Sequence, residues 1–304
     1  MQNYPCEAIR NIGIVGHNGV GKTTLVESML FKSGAIKRPG RVEDGNTVSD
    51  FQPEEVTRKI TISATLVPVE WNGKKLNILD TPGYSDFLGE IEGTMRAVDG
   101  ALFVICAASG VQVQTEVIWE KVEAAGLPRM VFINKMNREN ADFFKTFDQL
   151  KAFFPGGRFV ACQLPIGQAE QYKGYFDLLT GEAVMDDGSA GALTPELEDL
   201  RTRYLDQLTE IAVEGDDDLL TKYLDGETIT SEEVIKGLAA GFKAGIAIPV
   251  VLGTGATGSG VARLMDLLGS FFPEPGCSAE AGEELKAYVF KTVVDPYVGK
   301  INYL

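Results

Sequence analysis

Gly16-His17-Asn18-Gly19-Val20-Gly21-Lys22-Thr23 has the spacing G-x-x-x-x-G-K-[ST]. It lies between an apolar run of strand length, Arg10 to Val15, and a helical pattern from Lys22 to Phe31. A strand before and a helix after is the context this loop requires. Its glycines let backbone N–H groups converge on an anion, and the helix N-terminus adds the positive end of its dipole. Gly16 to Thr23, with Thr24 behind them, are therefore expected to cradle the phosphates of a nucleotide. Lys22 would reach the outer phosphates and Thr23 would ligate Mg2+.

The chain around this loop has 304 residues, enough for one large domain or two ordinary ones. Its longest strongly apolar run, Ala101 to Ala108, is too short to cross a bilayer. The N-terminus lacks the basic flank and apolar stretch of a signal peptide. Four cysteines lie far apart with a single histidine, which argues against a zinc site. The thiols are expected to be reduced and the protein cytoplasmic. A formal net charge of −15 argues against coating nucleic acid unaided. No sequence-specific DNA binding and no membrane contact are expected, and the segment is expected to be a monomer.

Hydrophobic periodicity predicts a helix over 22–31, then a polar, aperiodic stretch over 34–58 that reads as a long mobile loop. Strands are predicted at 60–70 and 75–80, joined by a hairpin at Asn72-Gly73. Helices near 86–98, 112–125 and 141–153 alternate with strands at 101–106 and 129–133. Alternation of this kind implies an α/β fold, a mostly parallel sheet with helices on both faces. Such sheets bind ligands at the carboxyl ends of their strands.

Near residue 157 the rhythm changes to short strands and turns, up to about residue 180. Thr194-Pro195 then starts a helix, with Thr as cap and Pro at its first position. Two shorter helices follow near 216–224 and 231–241. The first pattern returns at 248–252 and in a helix near 260–272. The expected division is a nucleotide-binding domain over 1–156 and 246–272, carrying an inserted α+β subdomain over 157–245. Residues 273–284 read as a linker, and 285–304 as the first strands of a second domain that continues beyond this chain.

Two further turns carry chemistry. Asp80-Thr81-Pro82-Gly83 follows an apolar strand, which places Asp80 at a strand end where it can serve magnesium through water. The N–H of Gly83 can sense the outermost phosphate. Thr61, at the end of the long loop, is a hydroxyl that can close onto the metal when a third phosphate is present, although a β-branched residue entering a strand has the same spacing.

Asn134-Lys135-Met136-Asn137 follows the strand ending at Ile133 and nearly matches the Asn-Lys-x-Asp signature that reads guanine. With the phosphate loop, the Asp80 turn and a late Gly253-Thr254-Gly255 turn, the order resembles a translational GTPase, and most closely elongation factor G. Arg96 to Ala101, Gly110-Val111-Gln112, Leu127-Pro128-Arg129, Leu164 to Gly167, Gly174 to Leu179 and Lys291 to Lys300 also look like that family. The similarity covers nearly the whole chain. It implies GTP and GDP as ligands with Mg2+, hydrolysis of GTP to GDP and phosphate, and action on the ribosome in the cytoplasm. It places Asn134, Lys135, Asn137, Thr254 and Gly255 at the base and Thr23, Thr61 and Asp80 at the metal. Lys22, Gly83 and Tyr84 are placed at the reacting phosphate.

Four positions depart from that family. Tyr84 stands where a histidine usually positions water; a tyrosine hydroxyl, with a pKa near 10, is a poorer hydrogen-bonding substitute. Gly19 stands in place of an aspartate, and Lys59 in place of the glycine of Arg-Gly-Ile-Thr. Asn137 replaces a carboxylate that accepts from two donors of guanine, whereas an amide accepts one and presents its NH₂ to the other. A nucleotide-gated ribosome-binding module with negligible hydrolysis and relaxed guanine preference therefore stays open beside the GTPase. An ATP-dependent phosphotransferase is a third reading, since such loops serve kinases too, but Asn134-Lys135 and the lack of a second substrate-phosphate motif weigh against it. His17 reads as loop architecture and Glu214 to Asp218 as a solvated helix start. Trp119, Phe143, Phe144 and Phe147 read as core.

Overall fold

The computed structural model describes residues 3–276, 287–295 and 297–304. The chain opens on a largely buried strand. Strand β1 (Ile9–Val15) leads through the phosphate loop into helix α1 (Lys22–Lys32), and a 3₁₀ turn (Val42–Asp44) and helix α2 (Pro53–Arg58) follow. Strands β2 (Thr65–Trp71) and β3 (Lys74–Asp80) form the expected hairpin. Asn72 and Gly73 both take positive φ, 44° and 76°, the pair of left-handed residues that a type I′ turn needs. Helix α3 (Leu88–Met95), strand β4 (Gly100–Cys106), helix α4 (Val113–Ala124), strand β5 (Arg129–Asn134) and helix α5 (Phe143–Phe153) continue the alternation.

The main sheet has seven strands. Strand β6 (Arg158–Ala161) forms one edge, and strand β10 (Ala247–Leu252) lies between it and β5, giving the order β2-β3-β1-β4-β5-β10-β6. All neighbours pair parallel except β2 with β3. Helix α9 (Val261–Phe271) returns against α1 and the β2–β3 hairpin, and Trp71 Nε1 donates to Asp266 at 2.7 Å. Trp119 stacks on Phe154 and meets Phe103 and Phe159, as a core residue does.

The expected insertion opened at residue 157, but Arg158–Ala161 pairs with β10 in the main sheet. A separate antiparallel sheet begins with β7 (Gln163–Ile166), followed by β8 (Gly174–Asp177) and β9 (Glu182–Met185). Helices α6 (Pro195–Val213), α7 (Asp217–Leu224) and α8 (Ser231–Lys243) complete this part. Thr194 accepts from the Leu197 N–H with Pro195 at the first turn, and Asp216 caps α7 through the N–H groups of Asp218 and Leu219. Arg263 on α9 reaches across to Asp177 on β8 at 2.7 Å, tying the small sheet to the main body.

Two expectations change. The stretch 34–58 contains a helix and four buried polar residues, Thr47, Ser49, Asp50 and Glu55. Glu27, 1% exposed on α1, orders it by accepting from the N–H groups of Gly40 and Val48 at 2.7 and 2.5 Å. The strand predicted from residue 60 starts only at Thr65. Carboxylates take the amides before it: Glu55 accepts from Ile62 and Ser63, and Glu90 from Ala64.

Cys106 and Cys162 are free and buried, but Cys6 is disulfide-bonded, which corrects the reading of every thiol as reduced. Its sulfur lies 3.4 Å from the Pro275 carbonyl, so the start of the chain meets the segment after α9. Cys277 and most of the expected linker lie outside the described residues. The last segment is a hairpin of β11 (Lys291–Asp295) and β12 (Gly299–Tyr303). Among the described residues no helix is long and apolar enough to cross a membrane.

Candidate nucleotide site

Strand β1 delivers the chain to a tight loop whose last glycine, Gly21, holds φ 96° at the cap of α1. A Cβ there would lie 2.7 Å from Asn134 Nδ2, so only glycine lets this loop approach the β5 end. Lys22, first in the helix, is buried and donates to the carbonyls of Gly16 at 2.9 Å and His17 at 3.1 Å. Burial pushes its ammonium down to about 8, against the pull of Asp80 and Asp50. The ammonium is thus held at the loop by weak carbonyl acceptors, available to a stronger anion.

Oxygen donors gather opposite it. Asp80, at the end of β3 and 0% exposed, accepts from Thr23 Oγ1 and Ser49 Oγ, both at 2.8 Å. Thr61 Oγ1 is 3.1 Å from Thr23 Oγ1. Thr23, Thr61 and Asp80, separated by tens of residues in the sequence, therefore meet at one point. Asp50 joins them. It is 4% exposed, and both of its oxygens are buried without a well-formed hydrogen bond to any described residue; Asp80 Oδ1 is unpartnered as well. Burial, then repulsion from Asp80, raises the Asp50 carboxyl to about 7, with the nearby Thr61 hydroxyl opposing. Burial likewise raises Asp80, with Lys22 opposing.

Unpartnered carboxylate oxygens beside the hydroxyls of Thr23, Ser49 and Thr61 are what a hard cation satisfies. Among the described residues no cluster of three or more His, Cys, Asp or Glu could hold a metal alone. The donor set is thus incomplete without oxygens from a ligand.

Gly83 closes this end. A Cβ on it would sit 2.5 Å from Lys22 Nζ and 2.6 Å from the Asn18 nitrogen. Tyr84, 37% exposed, lines the same cavity of about 260 Å³ together with Lys22, Thr23, Asp50, Lys59 and Thr61. Lys59 occupies its place with φ 56°, a left-handed conformation that glycine would take without strain.

A second cavity, about 640 Å³, shares Gly21, Thr24, Glu43 and Lys135 with the first and is also lined by Asn137, Thr254 and Gly255. Asn134, 2% exposed, is spent on tying loops together. Its Nδ2 donates to the Val20 carbonyl at 2.9 Å, and its Oδ1 accepts from the N–H groups of Lys135 and Gly255, both at 2.8 Å. Lys135 Nζ donates to the Gly19 carbonyl, and burial followed by Arg138 lowers its pKa. Asn137 is exposed on the cavity wall. Gly16, His17 and Val20 line neither cavity and act through their carbonyls.

Sequence reasoning missed Asp50, Ser49, Glu27, Glu55 and Glu90. Each is a polar residue in a polar or amphipathic stretch, with no periodicity to set it apart. Only the fold reveals that it is buried.

A parallel sheet whose first strand feeds a G-x-x-x-x-G-K-[ST] loop, with motif residues at the strand ends, defines the P-loop class of nucleotide-binding proteins. Residues 7–274 match the family model described as elongation factor Tu GTP binding domain. A solved protein from Thermus thermophilus is 35% identical, with a TM-score of 0.89, over 97% of this chain and 45% of that one. The chain belongs to the elongation factor Tu GTP-binding domain family, the translational GTPases. It spans less than half the length of the Thermus protein it matches.

Proposed function

We propose that this chain is the GTP-hydrolysing part of a cytoplasmic, magnesium-dependent factor that acts on the ribosome. The observation that carries the reading is the meeting of Thr23, Thr61, Asp80 and Asp50 opposite the buried ammonium of Lys22. Thr23, Thr61 and Asp80 would hold magnesium, which would supply positive charge to offset the charge that develops on the outer phosphates.

The chain's own groups do the rest. Lys22 turns from the Gly16 and His17 carbonyls to the outer phosphates. The Gly83 N–H meets the last phosphate, and the Tyr84 hydroxyl orients the attacking water. Asn137 and Lys135 hold the base from the larger cavity, with Thr254 and Gly255 at its far wall. Asn134 supports them by fixing Val20 and Gly255. We also propose that the nucleotide domain is interrupted by the segment containing β7 to α8, and that β11 and β12 open a second domain.

Phosphate release from GTP by the full-length protein, with and without ribosomes, tests the reading. Ribosome-stimulated turnover that Tyr84→Phe reduces supports it. Tight GTP binding with no stimulated turnover would replace it with a nucleotide-gated ribosome binder. Equal competition by ATP would remove the guanine assignment altogether.

A further inference from the structure

The three residues after Thr61 carry an unusual backbone arrangement. Ile62 and Ser63 give their N–H groups to Glu55 Oε1 at 3.0 and 3.1 Å, and Ala64 gives its N–H to Glu90 Oε2 at 2.8 Å. Three consecutive amides are thus held by two carboxylates, one from α2 and one from α3. Glu55 is fully buried and also receives the Gln52 N–H at 3.1 Å. The Ala64 carbonyl, on the other side of the same residue, accepts from Lys291 Nζ at the start of β11.

Lys291 enters a place where burial works against its charge and Glu90, followed by Glu55, supports it. The chain leading into it rests on α3. The Arg96 guanidinium lies 5.5 Å from the Tyr288 ring centre, and the Phe290 carbonyl is 3.5 Å from where a Cβ of Gly93 would be. Farther along, the hairpin is largely in solvent, with Val294 80% and Val298 75% exposed. Among the described residues, Tyr288, Phe290 and Lys291 make contacts with the nucleotide domain.

Taken with the reading of Thr61 as a magnesium-facing hydroxyl, on which this rests, the placement has a functional meaning. We propose that Glu55, Glu90 and Lys291 are positioning residues that hold Thr61 toward the third phosphate, and that Lys291 carries this state to the segment beginning at β11. A ligand with a third phosphate gives Thr61 a partner and so strengthens the row of amide contacts that the chain already makes. A diphosphate leaves Thr61 without that partner, so the row and the lysine contact loosen together. The coupling runs both ways: a hairpin held in place favours the triphosphate state by the same factor.

Affinities of the full-length protein for GDP and for a non-hydrolysable GTP analogue, measured by fluorescence with magnesium present, test this. Lys291→Met keeps side-chain length and removes the charged donor. It is expected to weaken the GTP analogue about tenfold, the worth of one charge-assisted hydrogen bond. GDP affinity should stay within about twofold, because GDP does not call on Thr61. Lys291→Arg should restore the analogue, and Glu90→Leu should reproduce the loss. Hydrogen exchange at residues 62–64 should slow in the analogue complex of the wild type but not in that of Lys291→Met.

Equal loss for both nucleotides, or no loss for either, would overturn the proposal. If Lys291→Met does not fold, Glu90→Gln decides: its amide still accepts the Ala64 N–H but no longer supports the Lys291 charge, so the GTP analogue alone should weaken, and an unchanged ratio of the two affinities would overturn the proposal. A wild type that binds the analogue no better with magnesium than without would instead sink the reading of the site itself.

Discussion

Asp50→Asn separates the site's cost from its use. Asp50 is buried beside Asp80, and neither of its oxygens has a well-formed hydrogen bond to a described residue. Its carboxyl is raised from 3.8 to about 7. A folded-state value above the unfolded one means that the acid form is favoured by folding. The group's contribution is intact below about pH 4 and is lost as pH rises through about 7. A shift of roughly three units, at about 1.4 kcal/mol each, gives an upper bound of about 4 kcal/mol, and side-chain relaxation leaves about 2–4. Asn removes the charge at similar volume, and its NH₂ can donate to Asp80. Urea unfolding in chelator and without nucleotide should show the variant more stable by about 2–4 kcal/mol near pH 8 and by about 1 near pH 5. With magnesium and nucleotide the order should invert, because the variant has lost an anionic oxygen from the metal end. A variant less stable than wild type at pH 8 in chelator would show that Asp50 has a partner, and the reasoning would fail.

Other expectations follow from single contacts. Arg263→Met leaves Asp177, 2% exposed at its side chain, without its cation; the cost should be about 2–3 kcal/mol in thermal or urea unfolding. Lys59→Gly releases a left-handed residue at φ 56° and should stabilise the metal-free chain by up to about 1 kcal/mol in the same assay. Asn137→Asp supplies a second acceptor at the base and should tighten GTP relative to xanthosine triphosphate by about tenfold in competition binding. Lys222, with the Thr230 cap behind it, holds the Glu233 carboxyl down at about 2. That support is present above the usual carboxylate range and is lost as pH falls through about 2, so Glu233→Gln should bring acid unfolding, followed by circular dichroism, to higher pH.

Elements whose cause is local could be read from the chain. The phosphate loop, the Asn72-Gly73 turn and the Thr194-Pro195 helix start are each defined by adjacent residues, and the structure places them as expected. Strand β6 was not legible in this way. Arg158–Ala161 has the pattern of a short strand but joins the main sheet because Ala247–Val250, far along the chain, lies beside it. Asp50 was hidden for the opposite reason. A charged residue in a polar loop reads as solvated, and nothing near it in sequence indicates that Asp80, Thr61, Glu55 and Lys22 surround it.

The long loop shows the same limit and has a consequence for how the site can move. Periodicity looks for ladders, and this loop has none. Its order comes from Glu27 on Gly40 and Val48, and from Glu55 and Glu90 on residues 62–64. A strand in a ladder gives up its contacts in sequence with a neighbour that must also move. Amides held by side chains can be released when a carboxylate rotates, while the helices bearing Glu27 and Glu90 stay in place. Because those carboxylates take neutral amides rather than lysines, salt screens the contacts less than it would exposed ion pairs. A segment held in this way can be fully ordered against the phosphate end and still be released locally, which is what a loop carrying Thr61 must do if its hydroxyl is to follow the third phosphate.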